Sequence, residues 1–247
     1  MSKEKLPTPW EFVKHSFEIY FKRQNLFYLT KINLFGVLAS LALLSPLFLL
    51  GFFGGEEPDL GGATIFILIL FLVSIVASIV WGVWFQATII KAVSLVLAGE
   101  IKGVKETFRL TWPRVGKYAL TTFVVGLALA GGFLLLIIPG ILVLVWYAFA
   151  NYIIVEGKLG VRDALRRSKI LVSGYFWQVL GRSMVFILFY ILIQVVVSFI
   201  PIVGPLALTL FSPYYILLPY LMYEELKRIK TGDVSNAEVS ASQGVGV

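Results

Sequence analysis

Residues 63–90 read Ala63-Thr-Ile-Phe-Ile-Leu-Ile-Leu-Phe-Leu-Val-Ser-Ile-Val-Ala-Ser-Ile-Val-Trp-Gly-Val-Trp-Phe-Gln-Ala-Thr-Ile-Ile90, which is 28 residues without one charged side chain. A helix crosses about 30 Å of hydrocarbon with roughly 20 apolar residues. This stretch is therefore long enough to span a bilayer and must tilt or protrude. Trp81, Trp84 and Gln86 fall at its end, where tryptophan marks the membrane–water interface. The whole chain repeats the message: 59% hydrophobic and 14% charged residues among 247 cannot be sorted into the core and surface of a soluble domain. A closed β-barrel would show short alternating segments. The runs here are continuous, so the expected fold is all-α, a polytopic integral membrane protein.

Six crossings are predicted, at about 34–53, 63–90, 118–138, 141–155, 183–200 and 206–223. The fourth has only about 15 residues, near 23 Å at helical rise. The turn before it falls either at Pro139-Gly140 or earlier, at Gly131-Gly132. In the six-crossing reading all 21 Lys and Arg residues lie on one side. The other side holds the acidic connection Gly54-Gly-Glu-Glu-Pro-Asp-Leu-Gly-Gly62 and two short turns, Pro139-Gly140 and Pro201-Ile-Val-Gly-Pro205. Short loops obey the positive-inside rule, so both termini are expected in the cytoplasm and the chain in the cell membrane. The N-terminal stretch has no uninterrupted apolar run of the signal-peptide kind, and 231–247, without periodicity, reads as a disordered tail.

The segments on the basic side share a pattern. Val104-Lys-Glu-Thr-Phe-Arg-Leu-Thr111 aligns without gaps on Val161-Arg-Asp-Ala-Leu-Arg-Arg-Ser168, and Glu11-Phe-Val-Lys-His-Ser16 fits the same template. Acid falls on acid, base on base and hydroxyl on hydroxyl. Each copy leads into a crossing, so three units of amphipathic helix plus crossing are expected, a form of the internal symmetry common in membrane folds. The amphipathic helices, at about 8–23, 101–112 and 160–173, are expected in the interface. Their bases Lys14, Lys22, Arg23, Lys105, Arg109, Arg114, Arg162, Arg166, Arg167 and Lys169 then form a collar around one mouth of the bundle. Attraction to anionic phospholipids is worth about 1 kcal/mol per base. The collar either enforces topology alone or recognises a particular lipid or an acidic partner, including a protein partner or a second copy of the chain.

The stretch Phe133-Leu-Leu-Leu-Ile-Ile-Pro-Gly-Ile141, with Trp146-Tyr-Ala-Phe149, Ile154-Val-Glu156, Ala164-Leu-Arg-Arg-Ser168 and Gly174-Tyr-Phe-Trp177, resembles the membrane domain associated with glycerophosphodiester phosphodiesterases. The resemblance runs over about 11–230 and is most specific over 134–180. It implies a stand-alone membrane domain. In the enzymes that name the family, catalysis belongs to a separate TIM-barrel domain, for which this chain has no room.

The residues argue against chemistry on their own account. Hydrolysis of a phosphodiester calls for clustered acids, histidines and a divalent cation, and the chain has one histidine, His15, beside Lys14, and no cysteine. No catalytic residue, metal site, cofactor or nucleic-acid partner is expected; Glu56, Glu57 and Asp59 sit in a glycine-flanked loop that reads as solvated. Proton or substrate pathways show ionisable residues inside the membrane, and these crossings have none near their centres. Gln194 and Gln86 are the candidate intramembrane polar groups, and Pro46, Pro139, Pro213 and Pro219 are candidate helix breaks around a cavity. The expected function is non-enzymatic engagement of phospholipid headgroups or a membrane partner, with a role in envelope or lipid homeostasis. The alternatives are a transporter or lipid-handling protein with a cavity between helices, and an accessory subunit of a phosphodiesterase.

Overall fold

The computed structural model of the chain describes residues 6–53, 62–157, 159–200, 204, 209 and 211–243, and all of its regular structure there is helical. In chain order the helices are α1 Pro9–Tyr20, α2 Arg23–Phe53, α3 Gly62–Leu97, α4 Val104–Thr111, α5 Val115–Leu135, α6 Ile137–Trp146, α7 Ala150–Glu156, α8 Val161–Val172, α9 Phe176–Ser198 and α10 Ser212–Gln243. A single 3-10 turn, Trp112–Arg114, joins α4 to α5. The connections after α3 and α8 each use a glycine in the left-handed region, Gly99 at φ 73° and Gly174 at φ 87°, where a Cβ is strained.

Five helical stretches are long and apolar enough to cross a membrane: Arg23–Ser45, Leu68–Leu97, Val104–Leu135, Ile137–Glu156 and Phe176–Val197. Residues 206–208 and 210 of the expected crossing at 206–223 lie outside the described residues. Its second half is the start of α10, which runs antiparallel to α9. The ring of Tyr215 packs on Tyr190 at 4.5 Å, and further along Lys230 stands over the ring of Tyr175 near the beginning of α9. The connection at 54–61 is likewise outside the described residues.

Several boundaries differ from the expectation. Gly131 and Gly132 lie inside α5, and the chain turns at Leu136, whose backbone is extended (φ −170°, ψ 160°). Pro139 then occupies the first turn of α6, where a missing N–H costs nothing. The two glycines serve packing instead: a Cβ on Gly132 would lie 3.0 Å from the Cα of Gly140. The helical stretch at the expected fourth crossing starts at Ile137, four residues before the expected 141, and ends at Glu156. Pro46 and Pro219 do not break their helices. The expected disordered tail is helical as far as Gln243.

The three amphipathic segments fold as helices in one shared register. Glu11, Glu106 and Asp163 each occupy the third helical position, where a carboxylate meets free backbone N–H groups and the positive end of the helix dipole. In α1 this completes a capping box with Thr8. Five positions later stand Ser16, Thr111 and Ser168, at 0%, 1% and 0% exposure. The helices do not lie apart from the bundle: each folds against a long helix and binds it through that hydroxyl. Thr111 bonds Thr88 (2.9 Å) and accepts from the Trp84 indole N–H on α3. Ser168 donates to the Trp146 carbonyl of α6 (2.8 Å) and accepts the Phe149 N–H. Ser16 shares a hydrogen bond with the Tyr214 hydroxyl on α10 (2.9 Å).

These contacts define three units: α1–α2–α3, α4–α5–α6–α7 and α8–α9–α10. The amphipathic helix of each unit is held by the returning helix of the unit before it, and the first by that of the last. The three units thus contact one another in a closed ring.

The buried core gathers at one end of this ring. It includes Tyr20, Leu29 and Ile32, then Val93, Ile154, Val179, Leu217 and Leu226. Away from it the long helices show apolar surface: Phe66, Leu68 and Leu72 on α3, Leu188 and Leu192 on α9, and Leu134 at 86% exposure. Each such side chain left in water forgoes about 1.5–3 kcal/mol, and a dozen of them outweigh the ~5–15 kcal/mol by which a domain is stable. The surface calls for an apolar surrounding.

Candidate functional site

The end of the ring that holds the core also carries the charge. Lys14, Arg109 and Arg166 occupy equivalent positions of α1, α4 and α8, three residues past the first-turn acid, and all three are exposed. Lys105 and Arg162 form a second equivalent pair, also exposed. Lys22, Arg23 and Arg167 are exposed beside them, and Lys169 is exposed with its ammonium 4.2 Å above the Trp146 ring. Among the described residues these nine bases enter no ion pair. Exposed tryptophans accompany them: Trp10 on α1, Trp112 after α4 and Trp177 on α9.

Arg114 is the exception within the expected collar. Its guanidinium is half-buried and donates from Nη1 to the carbonyls of Val155 and of Glu156 (3.1 Å). It caps the C-terminus of α7, where a cation meets free carbonyls and the negative end of the dipole. Arg114 is a structural clasp between α5 and α7 and is not displayed as a collar base.

Next to this clasp lies a knot of polar side chains that the repeat pattern does not announce. The Glu156 carboxylate accepts from the Tyr220 hydroxyl, from the Tyr223 hydroxyl (2.8 Å) and from Lys227 Nζ (3.0 Å). Lys227 also reaches Glu224 at 3.2 Å. Burial, and then the hydrogen bond and charge of Glu156, hold the Glu224 carboxyl above the usual carboxylate range. Burial pulls Lys227 down, but the hydrogen bond and charge of Glu156 outweigh it and leave its ammonium above the ordinary lysine value. Tyr152 packs its ring against Tyr220 and Tyr223. A carboxylate with these three donors joins α7 to α10. The sequence did hold one signal for it: Tyr220, Tyr223 and Lys227 recur at i, i+3 and i+7, one face of a helix. What it faced was 64 to 71 residues away.

Among the described residues no group of three or more His, Cys, Asp or Glu is placed to hold a metal ion. His15 is exposed, 3.9 Å from Glu18 on the same helix. Gln194 is half-buried and donates to the Tyr190 hydroxyl one turn earlier (2.6 Å). Gln86 is exposed and lines a groove between α3, α9 and α10. Asn33 and Asn151 bridge helices, Asn33 to the Thr209 carbonyl and Ser212 Oγ, and Asn151 to Thr122. Compared with known protein families, with curated proteins and with solved structures, the chain matches none.

Proposed function

We propose that the chain is a non-enzymatic integral membrane protein of six crossings, arranged as three helical hairpins, whose basic end faces the cytoplasm and engages anionic phospholipid headgroups. The observation that carries this reading is the shared register of the three amphipathic helices. The hydroxyl face of each is buried against the bundle, and this leaves Lys14, Arg109 and Arg166 displayed outward at equivalent points of the ring. Bases without acidic partners at a membrane surface attract anionic lipid at about 1 kcal/mol each, and the neighbouring tryptophans fit the headgroup level. The antiparallel course of α10 against α9 supports a sixth crossing, as does the role of α10 as the third returning helix. An even number of crossings keeps every base on one side.

The resemblance to the membrane domain associated with glycerophosphodiester phosphodiesterases agrees with a membrane module lacking chemistry of its own. A role in lipid or envelope homeostasis is the corresponding physiological proposal.

The experiment is native mass spectrometry of protein released from bilayers of equal phosphatidylglycerol and phosphatidylcholine. Wild type retains phosphatidylglycerol in excess, and the triple variant Arg162→Gln, Arg166→Gln, Arg167→Gln loses most of that excess. Equal retention of the two lipids by wild type overturns the headgroup reading.

A further inference from the structure

The three hairpins are not packed alike. In the first, Gly36 of α2 backs directly on the Phe85 ring of α3, and in the second Gly132 meets Gly140. In the third, α10 has no glycine between Ser212 and Lys230, and Gly181 of α9 faces open space. The space left open between α9, α10 and α3 is a groove of about 500 Å³. That lies within the ~300–1,000 Å³ of small-ligand sites.

Its floor is apolar and buried, with Phe186 and Leu218, and its rim is exposed at Ile187 and Tyr190. Polar groups complete the lining: the Gln86 amide on α3, the Ser183 and Tyr190 hydroxyls on α9, and the Ser212 and Tyr215 hydroxyls on α10. The rim is continuous with the apolar outward face of α9 at Leu188 and Leu192. Whatever surrounds that face also fills the groove.

We propose that this groove holds one acyl chain of a phospholipid, laid between α9 and α10. The Gln86 and Ser183 side chains are available to the ester or glycerol oxygens. The inference rests on the membrane placement proposed above and is independent of the basic collar. A chain against the buried floor loses contact with bulk lipid along most of its length, so it exchanges slowly and survives extraction.

The test is reconstitution with phosphatidylcholine that carries a photoactivatable diazirine in one acyl chain, followed by mass-spectrometric mapping of the adducts. The expected result is a several-fold concentration of adducts on 183–190 and 212–219 over the equally apolar outward face of α3 at 65–80. Ser183→Phe and Ile216→Phe fill the groove and remove that excess; Leu192→Phe, on the exposed face of α9, leaves it unchanged. The wild-type map stands even if a filling variant fails to fold. Adducts spread in proportion to exposed apolar surface overturn the proposal, and so does a disulfide formed between two copies of an Ile187→Cys variant on mild oxidation, which assigns the groove to a dimer contact. The Arg162→Gln, Arg166→Gln, Arg167→Gln protein separates the two ideas: the groove predicts an unchanged adduct map in it, whatever becomes of the preference for phosphatidylglycerol.

Discussion

The hydroxyls of Ser16 and Tyr214 share a hydrogen bond at 2.9 Å across 198 residues of chain, and this contact closes the ring. Ser16 is fully buried and Tyr214 nearly so, and the rings of Phe17 and Tyr20 flank Tyr214 at 5.0 and 5.5 Å. The first unit is thereby tied to the last in the way that the second is tied to the first and the third to the second.

Two of the hydroxyl anchors, Ser168 and Thr111, are predicted to differ in weight. Ser168→Ala leaves the buried Phe149 N–H without its acceptor and is expected to cost about 1–3 kcal/mol. Thr111→Val costs less, because the Trp84 indole keeps the Phe108 carbonyl as an acceptor at 3.0 Å. Thermal unfolding of the purified variants in detergent checks the order; equal losses at the two positions contradict it.

Gly132→Ala brings a Cβ to 3.0 Å from the Gly140 backbone, which cannot swing aside, whereas at Gly140 the clash is with the Phe133 ring, which can. Overpacking of this kind costs typically about 1–3 kcal/mol. Gly132→Ala is expected to lower the melting temperature more than Gly140→Ala does, measured in the same detergent.

Removing the hub of the polar knot, as in Glu156→Gln, leaves Lys227 without its closest carboxylate and weakens the acceptor of Tyr220 and Tyr223. The expected outcome is a lower melting temperature and faster proteolysis near the α7–α8 connection. Lys227→Met, which keeps both tyrosine bonds, is expected to do less harm.

The pH dependence follows from Glu224. Its carboxyl sits above the usual range in the fold, so the fold favours the protonated form. No penalty exists below the unfolded value of about 4.3. The penalty grows as pH rises through that value and levels off above the folded one. Glu224→Gln removes it: the variant is expected to melt higher than wild type at pH 7–8 and equally near pH 4. Lys227, raised above its ordinary value, contributes its stability across this whole window and loses it only above about pH 10. A Glu224→Gln protein that melts lower at pH 8 contradicts the assignment.

Much of this architecture is legible in the chain itself. The uncharged run at 63–90 specifies an apolar helix long enough to cross a membrane. The repeated acid, base and hydroxyl spacing gives the register that burial follows at Ser16, Thr111 and Ser168, because a hydroxyl on the apolar face of an amphipathic helix must find a partner when buried. The partners themselves were not legible. Trp84, Trp146 and Tyr214 lie 27, 22 and 198 residues away from their hydroxyls, and local periodicity carries no information over that distance. Arg114 was misread for the same reason: nothing near it in sequence shows that the end of α7 needs a cap. The turn at Leu136 was missed because Pro139 and Gly140 look like a turn, whereas the proline starts a helix and the glycine lets that helix approach α5.

Topology is the premise on which the collar depends, and the absence of cysteine from the sequence makes every introduced thiol unique. Single variants Lys14→Cys, Lys105→Cys, Arg162→Cys, Arg228→Cys and Asp59→Cys, in sealed right-side-out vesicles, are treated with a membrane-impermeant maleimide before and after permeabilisation. Six crossings with one basic face predict that only Asp59→Cys is labelled from outside, and that the other four react only once the membrane is opened. Labelling of Arg228→Cys from outside means that α10 does not return, and contradicts the account.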